Sequence, residues 1–319
     1  MAADILPALA GTFLLTVIVT PLFIKAMKSL QYGQQIRADG PRLHAVKAGT
    51  PTMGGLIFIP AAVLTSIIFA GTSPFFYGAL LVTLGCMLIG FLDDFGKIAR
   101  ARSLGLKARS KLAGEVIITV LLVLFLRHFE LYSTEMLVPY FNFTIDFGFF
   151  HPIFIFLIIS ASSNSVNLTD GLDGLAAGVS AIGMIAFMFI AQQAGLPEVA
   201  IFCAAMTGGC LGFLVFNRYP ASLFMGDVGS LALGGAFAAV AVLTMAELFL
   251  LIIGGVFVIE ALSVILQVIC FRLTGRRILL MSPLHHHFEM KGWSEWRVVT
   301  TFWGAALIFA AAGVLSYSR

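Results

Sequence analysis

Long apolar runs constrain most strongly what this chain can fold into. Of its 319 residues, 60% are hydrophobic and only 11% are charged, and the mean hydropathy is +1.01. Soluble domains carry roughly 25% charged residues. In lipid, every backbone N–H and C=O group needs a partner within its own segment, so apolar runs of membrane-spanning length form helices. The sequence therefore predicts an all-α, polytopic membrane protein that forms one integral membrane domain over residues 1–319.

Ten runs approach the roughly 17–25 residues that a helix needs to cross a bilayer. The ninth is the longest, and we expect that helix to be broken or bent. The predicted spans are 5–26, 53–71, 76–92, 112–128, 150–166, 174–192, 199–216, 230–246, 248–271 and 298–316.

Lysine and arginine predict the orientation. With the amino terminus outside, all but Arg127 and Arg319 of the 19 basic residues fall on the cytoplasmic side. The positive-inside rule then predicts both termini outside and ten helices. The outside has one sizeable loop, residues 129–149, and the alternation over 140–147 predicts a small β-hairpin there. Its aromatic residues also suit the membrane interface.

Two adjacent acids, Asp93 and Asp94, stand where the third span ends and a basic stretch begins. Adjacent carboxylates repel, so they are found in water or beside a divalent cation or cationic side chains. An isolated pair of this kind is more often a solvated helix end than a site. The other aspartates of the chain therefore decide between the two interpretations.

Three further aspartates fall in short cytoplasmic loops rich in glycine and asparagine. Asp170 and Asp173 lie between the fifth and sixth spans, and Asp227 lies between the seventh and eighth. Together with the adjacent pair they make five aspartates from three loops at one membrane face. Such oxygen ligands are typical of Mg²⁺ or Mn²⁺ sites. The sequence thus predicts one cytoplasmic site with a divalent cation.

Other polar residues leave alternatives open. The run His285, His286 and His287, after the ninth span, indicates hydrogen bonding to phosphate or sugar oxygens, or else an inert surface run. Glu260, deep in the ninth span, either faces the cleft or pairs inside the bundle. Glu115, just inside the fourth span, is expected to reach the interface.

Four stretches resemble a known family. They are Phe-Leu-Asp-Asp-Phe at 91–95, Asn-Leu-Thr-Asp-Gly-Leu-Asp-Gly at 167–174, the stretch from Asn217 to Ser230 with Met-Gly-Asp-Val-Gly-Ser, and Pro-Leu-His-His-His-Phe-Glu at 283–289. These resemble the polyprenyl-phosphate N-acetylhexosamine-1-phosphate transferases. The histidine stretch is similar to their phospho-N-acetylmuramoyl-pentapeptide transferase branch, and the likeness extends over essentially the whole chain.

The resemblance implies an Mg²⁺-dependent enzyme of peptidoglycan synthesis in the bacterial cytoplasmic (inner) membrane. It would transfer phospho-MurNAc-pentapeptide from UDP-MurNAc-pentapeptide to undecaprenyl phosphate, giving lipid I and UMP. It would act as a homodimer among membrane lipids, and no nucleic acid partner is expected.

The resemblance also implies site residues. The catalytic acids would be Asp93, Asp94 and Asp227, of which Asp227 and Asp94 would bind the metal. Substrate would contact Lys47, Lys97, Lys111, Asn164, Asn167, Asp170, Asp173, Phe224, Gly226, His285, His286 and His287. Among these, Asp170, Phe224 and Gly226 would form the uridine pocket, and the histidines would meet the sugar phosphate or peptide.

Two mechanisms fit the implied reaction. In one, Asp93 deprotonates the lipid phosphate, which attacks the β-phosphate of the UDP-sugar directly; in the other, an aspartate attacks first and forms a phosphoryl-enzyme. We favour direct attack because a lipid phosphate is already a competent nucleophile. The rival functions are a sister transferase that uses UDP-GlcNAc or another UDP-sugar, and a transporter of anionic substrates.

Overall fold

The computed structural model describes residues 2–29, 49–99, 105–141 and 143–317. These residues form twelve α-helices and one two-stranded sheet. The helices are α1 Ala2–Ser29, α2 Gly55–Ala70, α3 Pro74–Ala99, α4 Ala108–His128, α5 His151–Thr169, α6 Leu175–Gln193, α7 Pro197–Asn217, α8 Gly226–Leu243, α9 Glu247–Ile253, α10 Gly255–Thr274, α11 Leu284–Met290 and α12 Glu295–Ser316.

Eight helices are long and apolar enough to cross a membrane, and α2 is a shorter apolar helix of 16 residues. The charged residues Arg109, Lys111, Glu115 and Arg127 set α4 apart from those eight. The predicted all-α, polytopic membrane fold is confirmed. The ninth span is interrupted at Gly254, which separates α9 from α10, as its length suggested.

Helix α8 is the centre of the bundle. Every residue from Val228 to Leu243 is buried. A helix that is apolar all round belongs inside a bundle, where neighbours cover each face. Its many alanine and glycine residues allow α2, α3 and α5 to approach closely, since small side chains let helix backbones come together in membranes. By contrast, α1 and α10 are mostly exposed, as helices that face lipid would be.

The contact between α3 and α8 is closest at Gly90. A Cβ atom at this position would collide with the backbone carbonyl of Asp227 and with Val228. Only a residue without a side chain fits between these two helices at this level. The absence of a side chain at Gly90 therefore brings the carboxyl end of α3 against the amino end of α8.

A hairpin caps the opposite end of the bundle. Strand β1 (Glu135–Leu137) pairs antiparallel with β2 (Thr144–Asp146), and Met136 lies opposite Ile145. The Leu137 N–H donates to the carbonyl of Met245, after α8, at 3.0 Å. The predicted hairpin exists, but its first strand lies upstream of residues 140–147. The anchor on Met245 fixes that strand, and the aromatic residues at 140 and 141 fall in the turn.

We predict that Gly90→Ala destabilises the protein by about 1–3 kcal/mol, because an inserted methyl group must push α3 away from α8. The measurement is the thermal unfolding midpoint of purified protein in detergent. Gly96→Ala is the matched control on the same helix, since a Cβ there meets no described atom within 4 Å. Equal midpoints for the two variants would contradict the proposed close contact.

Candidate active site

Three carboxylates from two helices form the centre of the site. Asp93 and Asp94 lie near the end of α3, and Asp227 lies in the first turn of α8. One oxygen from each lies within 4.8 Å of the others. The Asp227 side chain is 17% exposed, against 2% for Asp93 and 6% for Asp94. Asp227 is therefore the carboxylate most open to a ligand.

Lys97 bridges all three carboxylates. Its Nζ lies 2.6 Å from Asp93 Oδ2, 3.2 Å from Asp94 Oδ1 and 3.2 Å from Asp227 Oδ2. Lys97 follows Asp93 by four residues and Asp94 by three, and residues at those spacings share one face of a helix. The local sequence of α3 thus supplies both the acids and their first counter-ion.

A second ammonium group and an amide reach Asp227 from two other helices. Lys111 Nζ, from α4, lies 2.8 Å from Asp227 Oδ2 and 3.1 Å from Asp93 Oδ1. Asn167, near the end of α5, donates from Nδ2 to Asp227 Oδ1 at 3.0 Å and to Ser230 Oγ at 2.8 Å. Asp227 Oδ2 is therefore held from α3 and α4, and Oδ1 is held from α5.

Backbone N–H groups donate further hydrogen bonds to the two buried carboxylates, Asp93 and Asp94. The Leu106 N–H donates to Asp93 Oδ1 at 2.7 Å, and the Val228 N–H donates to Asp94 Oδ2 at 3.0 Å. The second bond comes from the first turn of α8, where free N–H groups favour an anion. Gly226 precedes it with φ +73°, and a Cβ there would press on Asp94. Glycine is required at position 226 for both reasons.

The charges of the cluster fit a divalent cation. Three carboxylates face two ammonium groups, so the five side chains carry one net negative charge. Carboxylate oxygens are the ligands that Mg²⁺ prefers, and it usually takes one or two of them plus phosphate oxygens. Asp227, which is open, and Asp94, which faces Lys97, have suitable donors. The donor set therefore fits the predicted metal.

Asp170 lies beside this cluster, just past the end of α5. Burial, followed by the negative charges of Asp227, Asp94 and Asp173, raises the pKa of Asp170 well above its usual range. The carboxyl end of a helix also disfavours an anion. Asp170 is thus a half-buried acid held among other acids, which is costly unless a ligand offsets it.

Asp173 braces the neighbouring loop. It is buried, accepts the Ala221 N–H at 2.9 Å, and its own N–H donates to Glu295 of α12 at 2.7 Å. Asn217 also links the two loops: it accepts the Gly174 N–H at 3.0 Å and donates to the Leu223 carbonyl at 2.9 Å. These contacts tie the loop after α5 to the loop after α7.

Sequence reasoning assigned no role to Asn217, Ser230 or Glu295. The signal available for the first two was their position, since they begin and end the polar stretch between two apolar spans.

Phe224 joins the site through its backbone. Its N–H donates to the Pro51 carbonyl at 2.9 Å, and its carbonyl accepts from Gly54 at 2.9 Å, at the start of α2. The segment before α2 therefore runs along the loop that carries Asp227. Lys47, also predicted to contact substrate, lies outside the described residues.

The three histidines lie in the short helix α11, so their side chains point in different directions. His285 is fully buried, 3.2 Å from Glu260 Oε1 of α10, and packs on Gly171. His286 Nδ1 lies 2.7 Å from Glu289, and His287 Nδ1 accepts the N–H of Leu280 at 3.1 Å. Contact between His285 and Gly171 brings α11 to the loop that holds Asp170.

The two acids within the spans are paired with neighbours. Glu260 accepts the His285 N–H at 3.2 Å, so it pairs inside the bundle and supports α11 from there. Glu115 is 1% exposed and accepts from Asn164 of α5 at 3.0 Å. The expectation that Glu115 reaches the interface is wrong, because α4 turns it inward. Asn164 also points to this deeper level, away from the three aspartates.

The fold and the site define a polytopic membrane protein whose charged cluster lies where several helices end. The glycosyl transferase family 4 model matches residues 76–245. A phospho-N-acetylmuramoyl-pentapeptide transferase signature matches residues 47–59.

Full-length relatives agree with these matches. A phospho-N-acetylmuramoyl-pentapeptide transferase of Geobacillus kaustophilus is 50% identical over 311 residues, which is 96% of this chain and 96% of that protein. Those of Halalkalibacterium halodurans and Oceanobacillus iheyensis are 51% identical over 308 and 309 residues, covering 95% of this chain and 94% of each relative. The chain therefore belongs to the phospho-N-acetylmuramoyl-pentapeptide transferase family.

We predict that Asp170→Asn stabilises the metal-free protein at neutral pH. In the unfolded chain this carboxyl loses its proton near pH ~3.9. The folded protein retains the proton to higher pH, so the parent loses stability as the pH rises between the two pKa values. The asparagine variant avoids this loss. Thermal unfolding midpoints in EDTA from pH 4 to 8 should show a gap in its favour that grows with pH.

Asp146→Asn is the control with the opposite sign. Hydrogen bonds from Thr134 and the Gly148 N–H lower the pKa of Asp146 in the β1–β2 hairpin. Its contribution to stability is present above pH ~3.9 and is lost as the pH falls through the lowered pKa. Asp146→Asn should therefore be less stable than the parent at neutral pH, with a gap that closes on acidification. The same sign for both variants would contradict the assignment.

Proposed function

We propose that this chain transfers phospho-MurNAc-pentapeptide from UDP-MurNAc-pentapeptide to undecaprenyl phosphate, giving lipid I and UMP. The observation that carries the proposal is the cluster of Asp93, Asp94 and Asp227 with its two bridging lysines. Both substrates are anionic, and phosphoryl transfer requires in-line positioning and charge stabilisation more than protein covalent chemistry. A relative of this name that is 50% identical over 96% of the chain supports the same reaction.

We place the site on the cytoplasmic face of the bacterial cytoplasmic membrane. The positive-inside distribution supports this orientation. A soluble UDP-sugar and a lipid phosphate then meet at one interface, each approaching from its own phase. The homodimer implied by the resemblance stays a prediction.

Mg²⁺ is the proposed cofactor, with Asp227 and Asp94 as its protein ligands. When bound, it would offset the phosphate charges and polarise the phosphoryl oxygens. Lys97 contacts both proposed ligands as well as Asp93. Lys97 and Lys111 would pair with phosphate oxygens of the substrates.

Asp93 is the proposed general base. The lipid phosphate gives its proton to Asp93, and its oxygen forms a bond to the β-phosphorus of the UDP-sugar. The bond from that phosphorus to the bridging oxygen breaks, and UMP leaves with the bridging oxygen. Lys97 and Lys111 lie within 3.1 Å of Asp93, so substrate phosphates that attract these lysines would release the carboxylate to accept the proton. Direct attack by the lipid is proposed over attack by an aspartate because a lipid phosphate is already a competent nucleophile.

The site's position favours an enzyme over a transporter. A transporter binds its substrate near the bilayer midplane, at interrupted helices. Here the carboxylates and lysines lie at the ends of α3, α4, α5 and α8. The acids deeper in the bundle, Glu115 and Glu260, already accept hydrogen bonds from neighbouring residues.

We expect purified protein in detergent to release UMP from UDP-MurNAc-pentapeptide when undecaprenyl phosphate and Mg²⁺ are supplied. Release should stop in EDTA, because the phosphate charges then lack their counter-ion, and should return with excess Mg²⁺. UDP-GlcNAc in a parallel reaction tests the sister activity. Release from UDP-GlcNAc alone would replace the substrate assignment, and no release from either, with folded protein, would favour the transporter.

We expect Asp227→Asn to lower kcat by about 100-fold or more, because it removes a charged ligand of the proposed Mg²⁺, which would offset the phosphate charges. The apparent affinity for Mg²⁺ in the UMP-release assay should fall as well. Asp146→Asn, on the opposite face, is the matched control and should leave both quantities unchanged. An Asp227→Asn enzyme with normal turnover and an unshifted Mg²⁺ titration would remove Asp227 from the list of essential ligands.

A further inference from the structure

A second polar layer, formed by Glu115 and Asn164, lies beneath the aspartate cluster. Glu115 follows Lys111 by four residues on α4, and Asn164 precedes Asn167 by three residues on α5. At these spacings each helix directs both of its residues to the same side, one turn apart. Lys111 and Asn167 reach the aspartates, while Glu115 and Asn164 meet each other at 3.0 Å. The two helices are thus joined by polar contacts at two levels.

The orientation of the Asn164 amide follows from its partners. Its Nδ2 donates to Glu115 Oε1 at 3.0 Å and to the Ser160 carbonyl at 2.8 Å. Both N–H groups are therefore used within the protein, and a reversed amide would set its oxygen against two acceptors. A substrate can meet this side chain only through Oδ1. The hydrogen bond to Glu115 therefore fixes the Asn164 side chain whether or not Oδ1 also contacts a substrate.

A carboxyl group at position 115 lowers the stability of the folded protein, because it is removed from water. The Glu115 side chain is buried within the bundle, and Oε2 has no hydrogen-bond partner among the described residues. A buried acid of this kind destabilises the protein unless its contacts compensate, and such residues in membrane spans are usually functional. Close packing alone would be served better by an apolar side chain. The position of Glu115 directly below Lys111 indicates what the acid does instead.

We propose that Glu115 is a positioning residue for the transfer reaction, an inference that rests on the proposed function. Lys111 of α4, together with Lys97 of α3, contacts Oδ2 of Asp227, and Asn167 of α5 donates to Oδ1 at 3.0 Å. The orientation of Asp227 therefore depends in part on how α4 and α5 lie relative to each other. The bond between Glu115 and Asn164 fixes that relation one turn deeper. A displacement of about 1 Å at reacting groups can cost ~100-fold in rate.

An exchange of charges between the two positions tests the proposal. Asn164→Asp alone sets a second carboxylate against Glu115, and we expect kcat for UMP release to fall about 100-fold. Adding Glu115→Gln restores a donor opposite an acceptor, with the polarity reversed. The double variant should regain at least about tenfold in kcat. If Asn164 instead acts only by touching substrate, the second substitution restores nothing, and the proposal is overturned.

Two further variants separate positioning from stability. Glu115→Leu removes the acceptor, and we expect kcat to fall about 100-fold while KM for UDP-MurNAc-pentapeptide changes little. Thr119→Val, one turn deeper on α4, removes a buried hydroxyl that donates to the Glu115 carbonyl. It should lower the thermal midpoint and leave kcat unchanged. Full turnover by folded Glu115→Leu would contradict the proposal, whereas inactivity of the parent protein would instead reject the proposed function.

Discussion

The mutual repulsion of three carboxylates is the constraint on which the rest of this structure depends. Asp93, Asp94 and Asp227 approach within 4.8 Å only because Lys97 and Lys111 stand between them. Breaking a buried ion pair by removing one partner commonly costs 3–5 kcal/mol, since an uncompensated charge remains. The ends of α3, α4 and α8 are therefore fixed together by charge, and any ligand that enters must replace the contacts it disrupts. A dianionic phosphate with a divalent cation can do so, because it supplies both signs.

The apolar bundle makes this charged arrangement possible. Helix α8 is buried from Val228 to Leu243, so its first turn has one position relative to its neighbours. Gly90 lets α3 reach the backbone of Asp227, and Gly226 leaves room for Asp94. Hydrophobic packing and small residues thus set distances that electrostatics alone would oppose. At the opposite end of the bundle, a backbone hydrogen bond to Met245 holds the β1–β2 hairpin over the helices.

Much of this could be predicted from the sequence, and the failures have physical reasons. Apolar length predicted ten spans, of which eight are described helices long and apolar enough to cross a membrane, and the interruption at Gly254 matches the expectation for the ninth. Asp93, Asp94 and Asp227 were grouped correctly because their motifs sit at helix ends on one face. The partners of Glu115 were not predictable, because a side chain's direction within a bundle depends on helix rotation, and those of Asp173 were not, because they depend on how two loops and α12 pack together. Periodicity is weak in a helix that is apolar on every side.

Glu260 shows how an acid inside the bundle can position a segment that lies near the charged cluster. The sequence left it facing either the cleft or the bundle, and it lies inside the bundle while holding a segment at the cleft. Gln267, two turns along α10, accepts the N–H groups of Ile278 and Leu279 at 3.0 and 2.9 Å. Residues seven apart share a helix face, so α10 presents a polar stripe that binds the backbone leading to α11. His285 then packs on Gly171, beside Asp170. Through these hydrogen bonds, the polar stripe helps to position the histidines.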